Sequence, residues 1–167
     1  MMLYVLRHSE AEETAPGGGG DEARRLTTRG REKMRAAAAG MRSLGVKFEA
    51  LLTSPLTRAR ETADVVAAAW ANEPPPQTLA ALASGVAPAE AVAALVPFAR
   101  YNGVMIVGHE PQLSGLVSLL LSGSSDLVHL RLRKGGCVAL EVANRFERGG
   151  AELHWMATQR QLRRKRK

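Results

Sequence analysis

A single cysteine, Cys137, stands in 167 residues, so no internal disulfide can form, and no Cys/His cluster has the spacing of a zinc site. A cytoplasmic setting is expected. Aromatics are scarce at 4%, so the core must come mainly from Ala, Leu and Val packed between helices and a sheet. Long apolar runs are also missing. Arginines or glycines break each one well short of the ~20 residues that cross a bilayer, and Met1–Leu6 is too short for a signal-peptide core. No membrane partner is expected.

Acids are outnumbered, with 16 Asp and Glu against 23 Lys and Arg, for a formal net charge of +7. Taken alone, this excess would suggest a polyanionic partner. It is not spread evenly, because residues 160–167, Arg-Gln-Leu-Arg-Arg-Lys-Arg-Lys, carry six positive side chains and no acid. The rest is nearly neutral, and no nucleic-acid partner is expected. The length suits one domain over residues 1–159, followed by a basic, disordered tail over 160–167. A monomer is expected.

The pattern along the chain is α/β, a three-layer α/β/α sandwich. Met2–Leu6 reads as a strand buried on both faces, and Ala50–Thr53 and Gly103–Val107 as two more. Residues 9–25, with four glycines at 17–20, read as a mobile surface loop. Helical spacing begins at Thr28, at Pro55 with Ser54 as N-cap, at Pro88, and at Pro111. A weak strand is expected at Gln77–Leu82, after an extended Pro74–Pro76. Gly136–Val142 and Ala151–Met156 should form an antiparallel hairpin on the otherwise parallel sheet.

Ligands of open α/β sheets bind beyond the carboxyl ends of the strands, and this topology would gather Arg7, His8, Arg58 and His109 there. The helix N-termini near Pro55 and Pro111 would add amide donors and the positive end of a dipole. Such a pocket suits phosphate. A neutral imidazole is already a nucleophile near neutral pH, and Arg7 and Arg58 would keep His8 unprotonated while gripping phosphate oxygens. His8 would need its second ring nitrogen held by a fixed acceptor, such as a backbone carbonyl. His109 would donate to the phosphoryl group, and water would hydrolyse the phosphohistidine enzyme intermediate. No cofactor or metal is implied, because arginines and helix ends supply the positive charge. His129 and His154 lack comparable company and are expected to be structural or surface residues.

In order and spacing, Leu6-Arg7-His8-Ser9, Leu26-Thr27-Thr28-Arg29-Gly30, Ser54-Pro55 with Arg58, Ala59 and Thr62, and Val107-Gly108-His109-Glu110-Pro111 resemble the histidine phosphatase superfamily. The resemblance covers about residues 2–120 and implies the phosphoglycerate-mutase-like fold. Ser9 departs from the usual Arg-His-Gly signature; it is small and could itself contact substrate through its hydroxyl. Without a large cap insertion, the chain is most similar to the SixA-type phosphohistidine phosphatases. By that likeness Arg24, in Arg24-Arg25-Leu26-Thr27, would be an extra phosphate-facing arginine.

Many superfamily members carry an acid after the third strand, but Leu79–Gly85 has none. Glu10 is the best remaining candidate beside the substrate. An alkoxide leaving group needs that proton, whereas imidazole leaving from phosphohistidine has a conjugate-acid pKa of only about 6.5. Only about twenty residues separate the third and fourth strands, so no cap should close the cleft. The expected function is a metal-independent phosphatase acting on phosphohistidine in a partner protein such as a phosphotransfer domain. A small-molecule phosphomonoesterase and a non-enzymatic phosphate or nucleic-acid binding module are the alternatives.

Overall fold

The computed structural model describes residues 1–70, 75–143 and 145–164. Its strands are β1 (Met2–Arg7), β2 (Ala50–Thr53), β3 (Gln77–Thr78), β4 (Gly103–Gly108), β5 (Cys137–Val142) and β6 (Ala151–Ala157). They form one sheet in the order β3-β2-β4-β1-β5-β6. The first four run parallel, and the β5–β6 hairpin adds antiparallel to β1. Helices α1 (Thr28–Ser43), α2 (Thr57–Ala67), α3 (Pro88–Leu95), α4 (Gln112–Ser122) and α5 (Gln159–Leu162) cover both faces. No helix of the described residues is long and apolar enough to cross a membrane.

The alternation of side chains along β1 divides the core in two. Leu3 and Val5 pack with Leu52 and Ile106 against α3 and α4, chiefly Leu95, Leu113, Leu116 and Leu120. Tyr4 and Leu6 point the other way, joining Leu51 and Met105 against Met34 and Met41 of α1 and Ala59, Ala63 and Val66 of α2. Each fully buried Leu contributes about 1.5–3 kcal/mol of transfer free energy. This is the expected three-layer α/β/α sandwich, and it explains why β1 is apolar up to Arg7 and β4 carries no polar side chain.

Four local expectations are corrected. α2 starts at Thr57, not Pro55: Leu56 is its N-cap residue without a side-chain cap, and Arg58 lies in its first turn. β3 shrinks to Gln77–Thr78 because Ala80–Leu82 closes a 3-10 turn; Pro74 lies outside the described residues. The 9–25 segment is not featureless. It holds 3-10 turns at Pro16–Gly18 and Asp21–Ala23 and an antiparallel bridge between Ala11 and Leu26. Finally, residues 160–162 belong to α5, not to a solvated tail. Thr158 forms a capping box with Gln161, Leu162 is buried, and α5 sits so close to α1 that a Cβ on Gly40 would strike the Leu162 carbonyl oxygen.

Candidate active site

β1, β2 and β4 end side by side, and their register sets the residues that follow. Arg7 pairs with Gly108 and Thr53 with Val107. Just beyond, His8 N donates to Gly108 O at 3.1 Å and Ser54 N to Val107 O at 2.9 Å. These backbone ties bring the His8 and His109 rings to 5.1 Å between centroids. Both are buried, at 5% and 2% exposure.

His8 Nδ1 lies 2.7 Å from Ser9 O. A carbonyl can only accept, so Nδ1 carries the proton and Nε2 keeps its lone pair. The fixed acceptor expected for this ring is therefore the carbonyl of the next residue. Burial lowers the His8 pKa most, to about 3; the Ser9 carbonyl opposes this, while His109, Arg58 and Arg7 reinforce it. His8 is a neutral imidazole near neutral pH.

His109 is held differently. Its Nε2 is 2.8 Å from Ser54 Oγ, which also accepts from Leu56 N at 3.3 Å. With the Ser54 hydroxyl as donor to Nε2, the ring proton sits on Nδ1, which is buried and has no partner among the described residues. Burial first, then the charge of Arg58, lowers its pKa to about 4, with Asp21 opposing. In that tautomer neutral His109 offers a donor at Nδ1.

The arginines surround this pair. Arg7 Nη1 donates to Leu132 O at 2.9 Å, and its Nε is buried with no partner among the described residues. Arg58, only 5% exposed, donates from Nη1 to Asp21 O at 2.7 Å and from Nη2 to Asp21 Oδ2 at 2.9 Å. Arg24 Nη1 reaches Asp21 Oδ1 at 2.7 Å, and its Nε reaches Glu12 O at 2.8 Å. One carboxylate therefore bridges two guanidinium groups, as phosphate oxygens would. Burial tends to raise the Asp21 pKa, but the hydrogen bond and charge of Arg58, then those of Arg24, prevail and hold it low. Nothing in the sequence pointed to Asp21, which lies in the glycine-rich segment, 37 positions before Arg58.

Ser9 and Glu10, expected to contact substrate, are engaged by other groups of the chain. Ser9 is fully buried; its hydroxyl donates to Gly30 O at 2.8 Å and accepts from Gln159 Nε2 at 2.9 Å, while its N–H donates to Thr62 Oγ1 at 3.1 Å. It anchors the carbonyl that orients His8. Glu10 accepts from Lys33 Nζ at 2.7 Å and lies 3.6 Å from Arg29 Nε. The Lys33 hydrogen bond does most to hold its carboxyl below the usual range, against a small effect of burial. An ionised carboxylate is a poor proton donor. The Leu26–Gly30 motif also has a local reason: Thr27 Oγ1 accepts from Gly30 N at 2.8 Å to start α1, and a Cβ on Gly30 would collide with Glu10 O. At α4, Glu110 accepts from Ser114 N at 3.1 Å, so the chain's own carboxylate already occupies part of the helix end expected to favour an anion. His154 pairs with Glu141 and His129 lies along a surface groove, both away from this cluster.

Residues 3–84 match the model of the histidine phosphatase superfamily (branch 1). An uncharacterized protein of Picosynechococcus sp. is 35% identical over 146 residues, 84% of each chain. Among solved structures, the protein histidine phosphatase SixA complexed with tungstate superposes with a TM-score of 0.85 at 22% identity, covering 97% of this chain and 99% of that one. A putative alpha-ribazole-5'-P phosphatase from Escherichia coli superposes at 0.75 with 20% identity, covering 95% and 97%. This chain belongs to the histidine phosphatase superfamily, and its fold is the phosphoglycerate-mutase-like one.

Proposed function

We propose that this protein is a phosphatase that forms a covalent phosphohistidine on His8 and acts on phosphohistidine carried by a partner protein. The observation that carries the reading is the state of His8: buried, neutral, its Nδ1–H fixed on Ser9 O, with Nε2 free beside Arg7, Arg58 and His109. In the proposed reaction the substrate phosphate displaces the Asp21 carboxylate from Arg58 and Arg24. Arg7 Nε and His109 Nδ1, both without partners among the described residues, then donate to its oxygens. His8 Nε2 attacks phosphorus in line, the bond to the leaving group breaks with its electron pair, and the leaving nitrogen takes a proton from water. A water molecule then attacks the phosphohistidine, releasing inorganic phosphate and restoring neutral His8.

Glu10 supports an N–P substrate. It is held ionised by Lys33, so it is not ready to protonate an alkoxide. One observation favours a second reading, a small-molecule phosphomonoesterase: phosphate bound to Arg58 and Arg24 would strip Asp21 of the partners that keep it ionised, freeing it to donate a proton. A substrate panel tests between them. Turnover of a histidine-phosphorylated phosphotransfer domain should exceed that of sugar phosphates and phosphoglycerate and should survive EDTA; the reverse ranking would overturn the phosphohistidine reading.

A further inference from the structure

The SixA-like fold does not account for the excess of positive charge near the carboxyl terminus, but its placement is informative. A groove of about 640 Å³ runs between α1, the segment before β5, and α5, and Lys33, Arg133, Lys134, Arg160, Arg163 and Arg164 line it with no carboxylate among the lining residues. Lys33 pairs with Glu10, whose charge also interacts with Lys134, but among the described residues no carboxylate lies within 4.0 Å of the other five. All five are exposed. Such a cluster repels itself in the folded state and creates a local field that draws anions from solution.

The groove wall is tied to His8 through Ser9. Gln159, on its wall, donates to Ser9 Oγ at 2.9 Å, and Ser9 O is the acceptor that orients His8. Lys134 precedes Gly135, whose N–H donates to both Arg7 O and His8 O at 3.1 and 3.0 Å. An anionic surface seated in the groove would therefore sit at the sheet edge where β1 ends in Arg7 and leads into His8.

We propose that this groove docks an acidic patch of the phosphoprotein whose phosphohistidine reacts at His8, a proposal that rests on the function proposed above. Exposed point charges spread over an open groove match several carboxylates on a protein surface better than one small anion, which would need converging donors. A nucleic acid is a poorer match, because among the described residues no aromatic side chain lines the groove to stack a base.

The test is a triple charge reversal, Arg160→Glu, Arg163→Glu and Arg164→Glu, with Arg133→Glu on a separate element as a second variant. Turnover of a net-negative, histidine-phosphorylated phosphotransfer protein is compared with turnover of phosphoramidate, a small N–P compound that has no surface to dock. The expected result is a 10- to 100-fold loss of kcat/KM on the protein, carried by KM, with a flatter salt dependence and unchanged phosphoramidate turnover, which also reports correct folding. Equal losses on both substrates, or none on the protein, would overturn the docking role. So would loss of single-stranded oligonucleotide binding with phosphoprotein turnover intact, which would make the groove a nucleic-acid site. Failure of the wild-type protein to act on either N–P substrate while it hydrolyses phosphomonoesters would instead overturn the phosphohistidine reading, and the docking proposal with it.

Discussion

Replacing Asp21 with Asn removes the carboxylate that bridges Arg58 and Arg24 while keeping its shape. If that carboxylate competes with phosphate for the same guanidinium groups, D21N should bind inorganic phosphate and tungstate more tightly. The Arg24 contact is exposed on both sides, with side-chain exposures of 24% and 57%, so it contributes about 0.2–1 kcal/mol. The Arg58 contact pairs a buried guanidinium, 6% exposed, with a half-exposed carboxylate, which puts it near or below the ~1.5 kcal/mol lower end for charge-assisted hydrogen bonds. Together about 1–2 kcal/mol no longer opposes the ligand, or roughly a 5- to 30-fold decrease in Kd. Isothermal titration of the two proteins with phosphate measures this directly. A Kd unchanged or raised in D21N would refute the competition and make Asp21 a residue that positions Arg58 for binding instead.

Two further outcomes follow from packing and charge. His8 and His109 have folded-state pKa values lowered to about 3 and about 4, whereas the unfolded chain takes up their protons near 6.5. Their stabilising contribution is therefore fully present above about pH 6.5 and is lost progressively as pH falls toward 3–4. Urea unfolding at pH 7 and pH 5 should show a loss of about 1–2 kcal/mol per histidine, and His8→Asn should lose less over the same interval; parallel losses would contradict the assignment. Gly40→Ala should force α5 away from α1, because its Cβ meets the Leu162 carbonyl oxygen. A destabilisation of about 1–3 kcal/mol with earlier proteolysis after Thr158 is expected, and a wild-type melting curve would contradict the docking of α5.

Much of this site was legible because strand ends can be read from local pattern. The apolar runs ending at Leu6, Thr53 and Val107 placed Arg7, His8, Ser54 and His109 at one sheet edge, and the parallel register joins them there. What escaped the sequence reading was long-range. Asp21 reaches Arg58 across 37 positions from a segment whose glycines signal only backbone freedom. Ser54 has the composition of an N-cap, yet its hydroxyl lies against His109 Nε2 and Leu56 N, and α2 begins only at Thr57. Ser9 and Glu10 follow His8 in sequence, but Gly30 O and Lys33 claim their side chains. The basic run beginning at Arg160 read as a solvated tail because charge patterning does not register one buried leucine, Leu162, that pins it to α1.

The central claim is that the phosphoryl group passes through His8. The protein is mixed with a histidine-phosphorylated phosphotransfer domain, quenched in alkali within one turnover, digested and mapped by mass spectrometry. The account predicts an acid-labile, alkali-stable phosphate on the peptide containing His8, absent from His8→Ala, which has no turnover. Phosphate on another residue, or full turnover by His8→Ala, would contradict it.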